Sequence, residues 1–453
     1  MSLIGRPPDT LDLDTGRLSR RVARTTAAMD ALDAEIGAWL VSRSGDPVFR
    51  RFSSHLRTLE IALTRMCSRL RAEIEAVSGD TAEGYAHCRR VDRGLTTLRR
   101  LFLWYAEKYD QRAAGGHQAV LAAADELARS CWSAGFAAVG RKPPTGPLCF
   151  VDNRTDAVAR RRCDLPTELR PPSDDPLMEF VDRLPIPVIA LPEQAVREGW
   201  WVVLAAHETG HHVLHDLDLG VPVRQALREA VPRDLAANWV AWHNEVFADV
   251  FSLLMVGPAA AWAIDELQYG PREGMSLASG GYPPPLVRLA LLGETLKALG
   301  APAGIPCAAD AAAVEDAKTA PQLAVVPDVV AALLDLPLGD TKLRCLALDE
   351  VIRTGPSVRA WSAQLTRPEP AIGAIETRRA PRLLIAAAVH RYRALAPAAG
   401  DAVTGRLHTA LLSLLGRSGV PGLLAPSPET DVETLADALG ELLIERAAEG
   451  EPA

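Results

Sequence analysis

The sequence predicts a predominantly helical α+β protein with a small sheet, and three observations lead to that reading. Apolar residues recur at steps of three and four over long stretches. A short, proline-flanked apolar run, Leu184–Leu191, reads as a strand. Blocks rich in proline and glycine divide the chain into a helical bundle (1–145), a compact core (146–298) and a C-terminal helical region (299–453).

The bundle is read from its stripes. From Asp46-Pro47, a cap and a first-turn proline, apolar residues fall at Phe49, Phe52, Leu56, Leu59, Leu63, Met66, Leu70, Ile74 and Val77. Those steps of three and four describe one long amphipathic helix that ends at Ser78-Gly79. A second run, Tyr85, Cys88, Val91, Leu95, Leu98, Phe102 and Tyr105, follows after a short turn, so the two should pack as an antiparallel hairpin. Residues 15–42 and 117–139 have the same texture. The stripes suit a bundle core; the alternative is a seam for a partner coiled coil.

Between Arg141 and Pro187 the texture changes to a loop-rich connection, marked by Pro143-Pro144, Gly146-Pro147, Pro171-Pro172 and the basic cluster Arg160-Arg161-Arg162. The strand that follows contains Pro185 and Pro187, which places it at a sheet edge. An edge strand shortly before the histidine cluster could also pair with an extended substrate backbone. In the tail, Glu376–Leu395 and Ser427–Ala448 read as helices, the latter with Ser427 as cap and Pro428 in the first turn.

Bulk properties exclude several classes. The 453 residues are 48% hydrophobic with a mean hydropathy of +0.04, which describes a folded chain with a sizeable core. A net charge of −8 argues against a partner role for nucleic acid, which needs a basic surface to displace counterions. The first residues lack the basic start and apolar core of a secretory signal, and Val250–Ile264 is too short to span a membrane and is broken by Gly257-Pro258. Seven cysteines (67, 88, 131, 149, 163, 307 and 345) form no CxxC pair, so neither a disulfide framework nor a thiolate metal site is expected. Together these features point to a reduced cytoplasmic protein without a membrane span.

Five of the ten histidines lie between positions 207 and 243. His207-Glu208-Thr209-Gly210-His211 is HExxH: on a helix its two imidazoles stand one turn apart on one face and can grip one zinc ion. Glu208 projects beside that metal, where it can take a proton from zinc-activated water and return it to a leaving amine. The apolar approach Val202–Ala206 marks a buried helix, and Gly210 leaves room for close backbone packing. A second apolar helix supplies Glu245 as the third ligand. Asp249, one turn on, can accept the ring N–H of a ligating histidine. His212 and His215 suit supporting or surface roles and His243 a structural one, while Asp216 and Asp218 begin a loop.

HExxH followed by the ExxAD of Glu245 to Asp249 resembles the gluzincin metallopeptidases. Tyr282-Pro-Pro-Pro-Leu-Val-Arg288 is similar to the HPPxxxR segment of the prenyl-protein and heat-shock membrane metallopeptidases, with Tyr282 where histidine is usual. The likeness covers about residues 184–298. Its spacing between His211 and Glu245 is short for that family, whose members are embedded in a membrane. The stretch from Glu245 to Met255 also resembles the small repressor-cleaving metallopeptidases of mobile elements. The resemblance implies a zincin-like core, a zinc cofactor, a protein or peptide substrate, and Tyr282 and Arg288 as stabilisers of the tetrahedral oxyanion. The rival expectation is a regulatory or interaction protein, its helical flanks binding a protein partner while the zinc site acts conditionally or is vestigial.

Overall fold

A computed structural model describes residues 10–78, 81–113, 115–152, 158–160, 186–268, 274–278, 281–302, 319–395, 400–419 and 429–449. Gly79, Cys163, Pro171-Pro172, Leu184-Pro185, Cys307 and the capping pair Ser427-Pro428 lie outside the described residues. The helices are α1 (Thr10–Gly45), α2 (Ser53–Glu75), α3 (Thr81–Asp110), α4 (Gln118–Ala138), α5 (Leu204–Asp216), α6 (Gly220–Ala230), α7 (Arg233–Ala241), α8 (His243–Val256), α9 (Pro258–Gln268) and α10 (Pro285–Ala298). They continue with α11 (Ala320–Ala324), α12 (Val326–Leu334), α13 (Asp349–Ile352), α14 (Pro356–Gln364), α15 (Ala380–Ala394), α16 (Asp401–Arg417) and α17 (Glu429–Glu449). The strands are β1 (Leu148–Asp152), β2 (Val158–Arg160) and β3 (Val188–Pro192), with a two-residue pair, β4 (Pro337–Leu338) and β5 (Thr341–Lys342). The predominantly helical α+β class expected from the sequence is the class observed. Among the described residues no helix is long and apolar enough to cross a membrane.

The chain divides into two compact units, and the division follows packing rather than order along the chain. The first comprises Met1–Tyr109, Arg162–Ile186 and Leu424–Ala453. Asp46 caps a short 3-10 turn over Pro47–Phe52 by accepting the Val48 N–H at 2.9 Å, so the helix read from Asp46 begins in earnest at Ser53. The apolar stripe of α2 is buried, as are Leu95, Leu98 and Phe102 of α3. The last helix, α17, packs along α2, with Arg69 paired to Glu441 at 3.0 Å. The sequence reading placed α17 in a C-terminal region; its apolar face is completed by the first helices instead.

The second unit comprises Asp110–Arg161 and Pro187–Leu423 and contains a single large apolar core. Its centre is the packing of α5 on α8 and of α4 on α5. Two sequence expectations need correction here. The connection between Arg141 and Pro187 is not only loop, because it contains β1 and β2. And β3 is not an edge strand: it lies between β1, which is parallel to it, and β2, which is antiparallel. The reason is positional. Pro187 precedes the strand and Pro192 ends it, so Val188 to Leu191 keep their N–H groups for pairing. Val188 to Ala190 are paired on both sides, so β3 offers no free edge there to an extended substrate, contrary to the sequence expectation.

One buried ion pair joins α4 to the sheet. Arg112 (2% exposed) contacts both Asp125 oxygens, at 2.8 and 3.0 Å, and donates to the Cys149 carbonyl at 2.6 Å. Asp125 in turn accepts the Cys149 N–H at 3.2 Å. Removing the carboxylate leaves a guanidinium without its counter-charge in the interior. Asp125→Ala is thus expected to destabilise this unit by about 3–5 kcal/mol in urea titration, and a loss below about 1 kcal/mol would contradict the role given to the pair.

Candidate metal centre

The centre is built where α5 meets α8. Leu204 to Leu214 of α5 are all buried, as befits a helix inside the core rather than on its surface. The helices approach closely because of Gly210: a Cβ there would stand 2.9 Å from the Ala248 Cα and 3.1 Å from Phe251 Cδ1. His212, buried, lies with Nε2 3.1 Å from the Val188 carbonyl and so donates to it, tying α5 to β3. His243 at the start of α8 donates from Nδ1 to the Val240 carbonyl (2.9 Å) and accepts from Arg224 (3.0 Å). These contacts fix the axial rotation of the two helices that carry the site.

His207 and His211 lie one turn apart with ring centroids 4.9 Å apart and planes at 86°. Glu245, in the first turn of α8, reaches both: its Oε2 is 3.4 Å from His207 Nε2 and its Oε1 is 3.5 Å from His211 Nε2. One ligand atom from each residue lies within 4.8 Å of the others, and all three residues are buried. A tetrahedral ion bound at 2.0–2.1 Å separates its ligand atoms by about 3.3 Å, close to the two nitrogen–oxygen distances. His207, His211 and Glu245 thus form a buried group that can hold a metal ion.

The other site residues surround this group. His207 Nδ1 lies 3.0 Å from Asp249 Oδ1, off the axis of an ideal N–H···O bond. Arg288, in the first turns of α10, grips Asp249 with two bonds, Nε to Oδ2 at 2.9 Å and Nη2 to Oδ1 at 2.7 Å, and stands 3.4 Å from Glu245 Oε2. That two-pronged grip is long-range and left no mark in the sequence beyond the arginine itself. Glu208 is buried next to His207, whose protonation its charge favours. Tyr282 is 49% exposed, with Arg288 Cζ 5.9 Å from its ring centre. His215 is exposed and paired with Asp216 at 2.7 Å, and Asp218 turns the chain with φ +55°.

Charge balance favours a cation at this position. With neutral imidazoles, the carboxylates of Glu208, Glu245 and Asp249 against the guanidinium of Arg288 leave two negative charges in the interior, which a dication neutralises. Without the ion, protons fill that role. Burial opposes charge on His207, but hydrogen bonding to Asp249 and Glu245 and the nearby carboxylate charges outweigh it and push its pKa up to about 10. Burial likewise raises Glu245 and Asp249, yet the cationic neighbours win and hold both at about 2; the largest opposing influence is His211 for Glu245 and Arg288 for Asp249.

Comparison with protein-family models, curated proteins and solved structures gives no match to this chain.

Two outcomes follow from this geometry. Gly210→Ala forces a methyl against the Ala248 backbone, which should destabilise the unit by about 1–3 kcal/mol in urea titration and weaken metal binding. Unchanged stability would mean that the helices can part at no cost. Metal uptake at pH 7 should expel at least one proton, that of His207, and affinity should rise with pH towards the raised pKa of about 10. The same shift makes the metal-free site most stabilising below the unfolded histidine value of about 6.5, and that contribution fades as pH climbs through the folded value. Calorimetry in buffers of different ionisation heat reads the proton count; zero release would refute the protonated state.

Proposed function

We propose that this chain is a zinc metalloendopeptidase of the gluzincin type, acting on a protein or peptide substrate. What carries the reading is the pairing of a buried His207–His211–Glu245 ligand group with a second acidic side chain, Glu208, that lies on the helix of the two histidines and is not needed as a ligand. A purely structural site has no use for that carboxylate. Two imidazole nitrogens and one carboxylate are a donor set suited to catalytic zinc, which keeps one position open. When bound there, zinc supplies a Lewis acid that polarises the scissile carbonyl and brings the acidity of water near neutral pH.

The residues of the chain do the rest. Glu208 accepts the proton of the attacking water and delivers it to the departing amine nitrogen. Asp249 holds the His207 ring with Nε2 turned towards Glu245, where the pair would hold the ion, and Arg288 holds Asp249. Arg288 also keeps Glu245 charged, so that the ligand set stays assembled. The phenol of Tyr282, at the exposed rim, is assigned to the oxyanion that develops as water attacks.

Metal analysis and a cleavage assay on an unfolded protein test this together. Glu208→Gln should keep stoichiometric zinc and lower the cleavage rate by about 10²–10⁴. Glu245→Ala should lose zinc. Equal cleavage by wild type and Glu208→Gln would rule out the mechanism.

A further inference from the structure

The charges of this chain are segregated. Residues 351–417 contain ten arginines, no lysine and three acidic residues (Glu369, Glu376 and Asp401), a net charge of +7 on a chain whose total is −8. Three of those arginines line one groove of about 560 Å³, formed by one face of α16 and the loop around Arg367. Arg367, Arg406 and Arg417 line it with the hydroxyls of Thr409 and Ser413, and no acidic side chain does.

Their guanidinium groups make no ion pair among the described residues. Arg406 Nε donates to the Thr366 carbonyl at 3.1 Å and Arg417 Nε to the Ser413 carbonyl at 3.0 Å, contacts that orient each side chain and leave its Nη atoms unpaired. Arg367 has no side-chain hydrogen bond or ion pair among the described residues. Gly405 also lines the groove. It sits inside a 17-residue helix, where glycine costs about 1 kcal/mol relative to alanine, and beyond its chain neighbours and its own helix backbone nothing lies within 4 Å of where its Cβ would be. The glycine is not required by packing or by a positive φ; what it provides is open space in the groove.

We propose that this groove binds a di- or triphosphate ester of nucleotide size. Three guanidinium forks and two hydroxyls match several phosphate oxygens, since arginine recognises phosphate with paired N–H donors. Pro368, Pro370 and Leu414 give the organic part an apolar wall. The volume is that of a small-molecule site rather than of an extended track for a nucleic acid strand. This site is separate from the metal centre and does not depend on the reading given to it.

Calorimetric titration of the full chain with ATP and with inorganic pyrophosphate tests the assignment. Both should bind saturably at one site and compete, the ester being the tighter. Replacing Arg367, Arg406 and Arg417 together by Gln should weaken binding at least about tenfold. Replacing Arg353, Arg359 and Arg379 by Gln removes the same charge from the same segment outside the groove and should change affinity less than about twofold. Gly405→Leu should block the groove without lowering Tm, because leucine is the better helix former. Glu245→Ala should bind as wild type does, which separates the groove from chelation at the metal centre. Absence of saturable binding, equal weakening in both arginine triples, unaltered binding by Gly405→Leu, or saturation only by a single-stranded oligonucleotide would each overturn the proposal.

Discussion

The interior of the second unit is organised by one electrostatic constraint: Glu245 and Asp249 stand one turn apart on a helix whose other residues from Val246 to Val256 are nearly all apolar and buried. Carboxylates in such surroundings persist only when cations meet them at contact distance. Arg288 supplies one, from a helix that starts forty residues later, and the imidazoles of α5 supply the frame for another. The relative placement of α5, α8 and α10 is therefore dictated by charge as much as by apolar packing. Any rearrangement that parts them leaves a carboxylate stranded.

Apolar packing sets the tolerance of that arrangement. Gly210 lets α5 and α8 touch backbone to side chain, and His212 fixes the opposite side of α5 to the carbonyl of Val188. Helix α4 closes on α5 where Gly135 faces Val213. The rings of His207 and His211 are thus mounted on an element held from three directions, and their separation is a property of the core rather than of a surface loop.

Much of this was legible in the sequence, and what was not has physical causes. The helices announced themselves because their apolar residues repeat with the helical period, and the ligand group did so because His207, His211, Glu245 and Asp249 fall at helical spacings within two short segments. The strand β1 escaped notice because it is five residues long, follows a run of prolines, and is buried on both faces, so no alternation marks it. The central place of β3 was misjudged because prolines flanking a strand look, in sequence, like prolines within it. The pairing of Arg112 with Asp125 and of Arg288 with Asp249 depends on which helices meet, and no local pattern encodes that. The same holds for the arginine groove, whose members are spread from position 367 to 417 and share a face only after α16 forms.

The packing of α17 along α2 has a consequence for the making of the protein. Some 320 residues separate the end of α3 from the start of α17, and at a synthesis rate of about 5–20 residues per second the wait is roughly 16–64 s. During that interval α1, α2 and α3 have left the ribosome while the face that receives α17 is bare. The middle unit is translated in full within the same interval and can mature first. The helices made earliest are thus the last to be finished, and a nascent chain stalled before residue 429 offers chaperones an uncovered apolar strip.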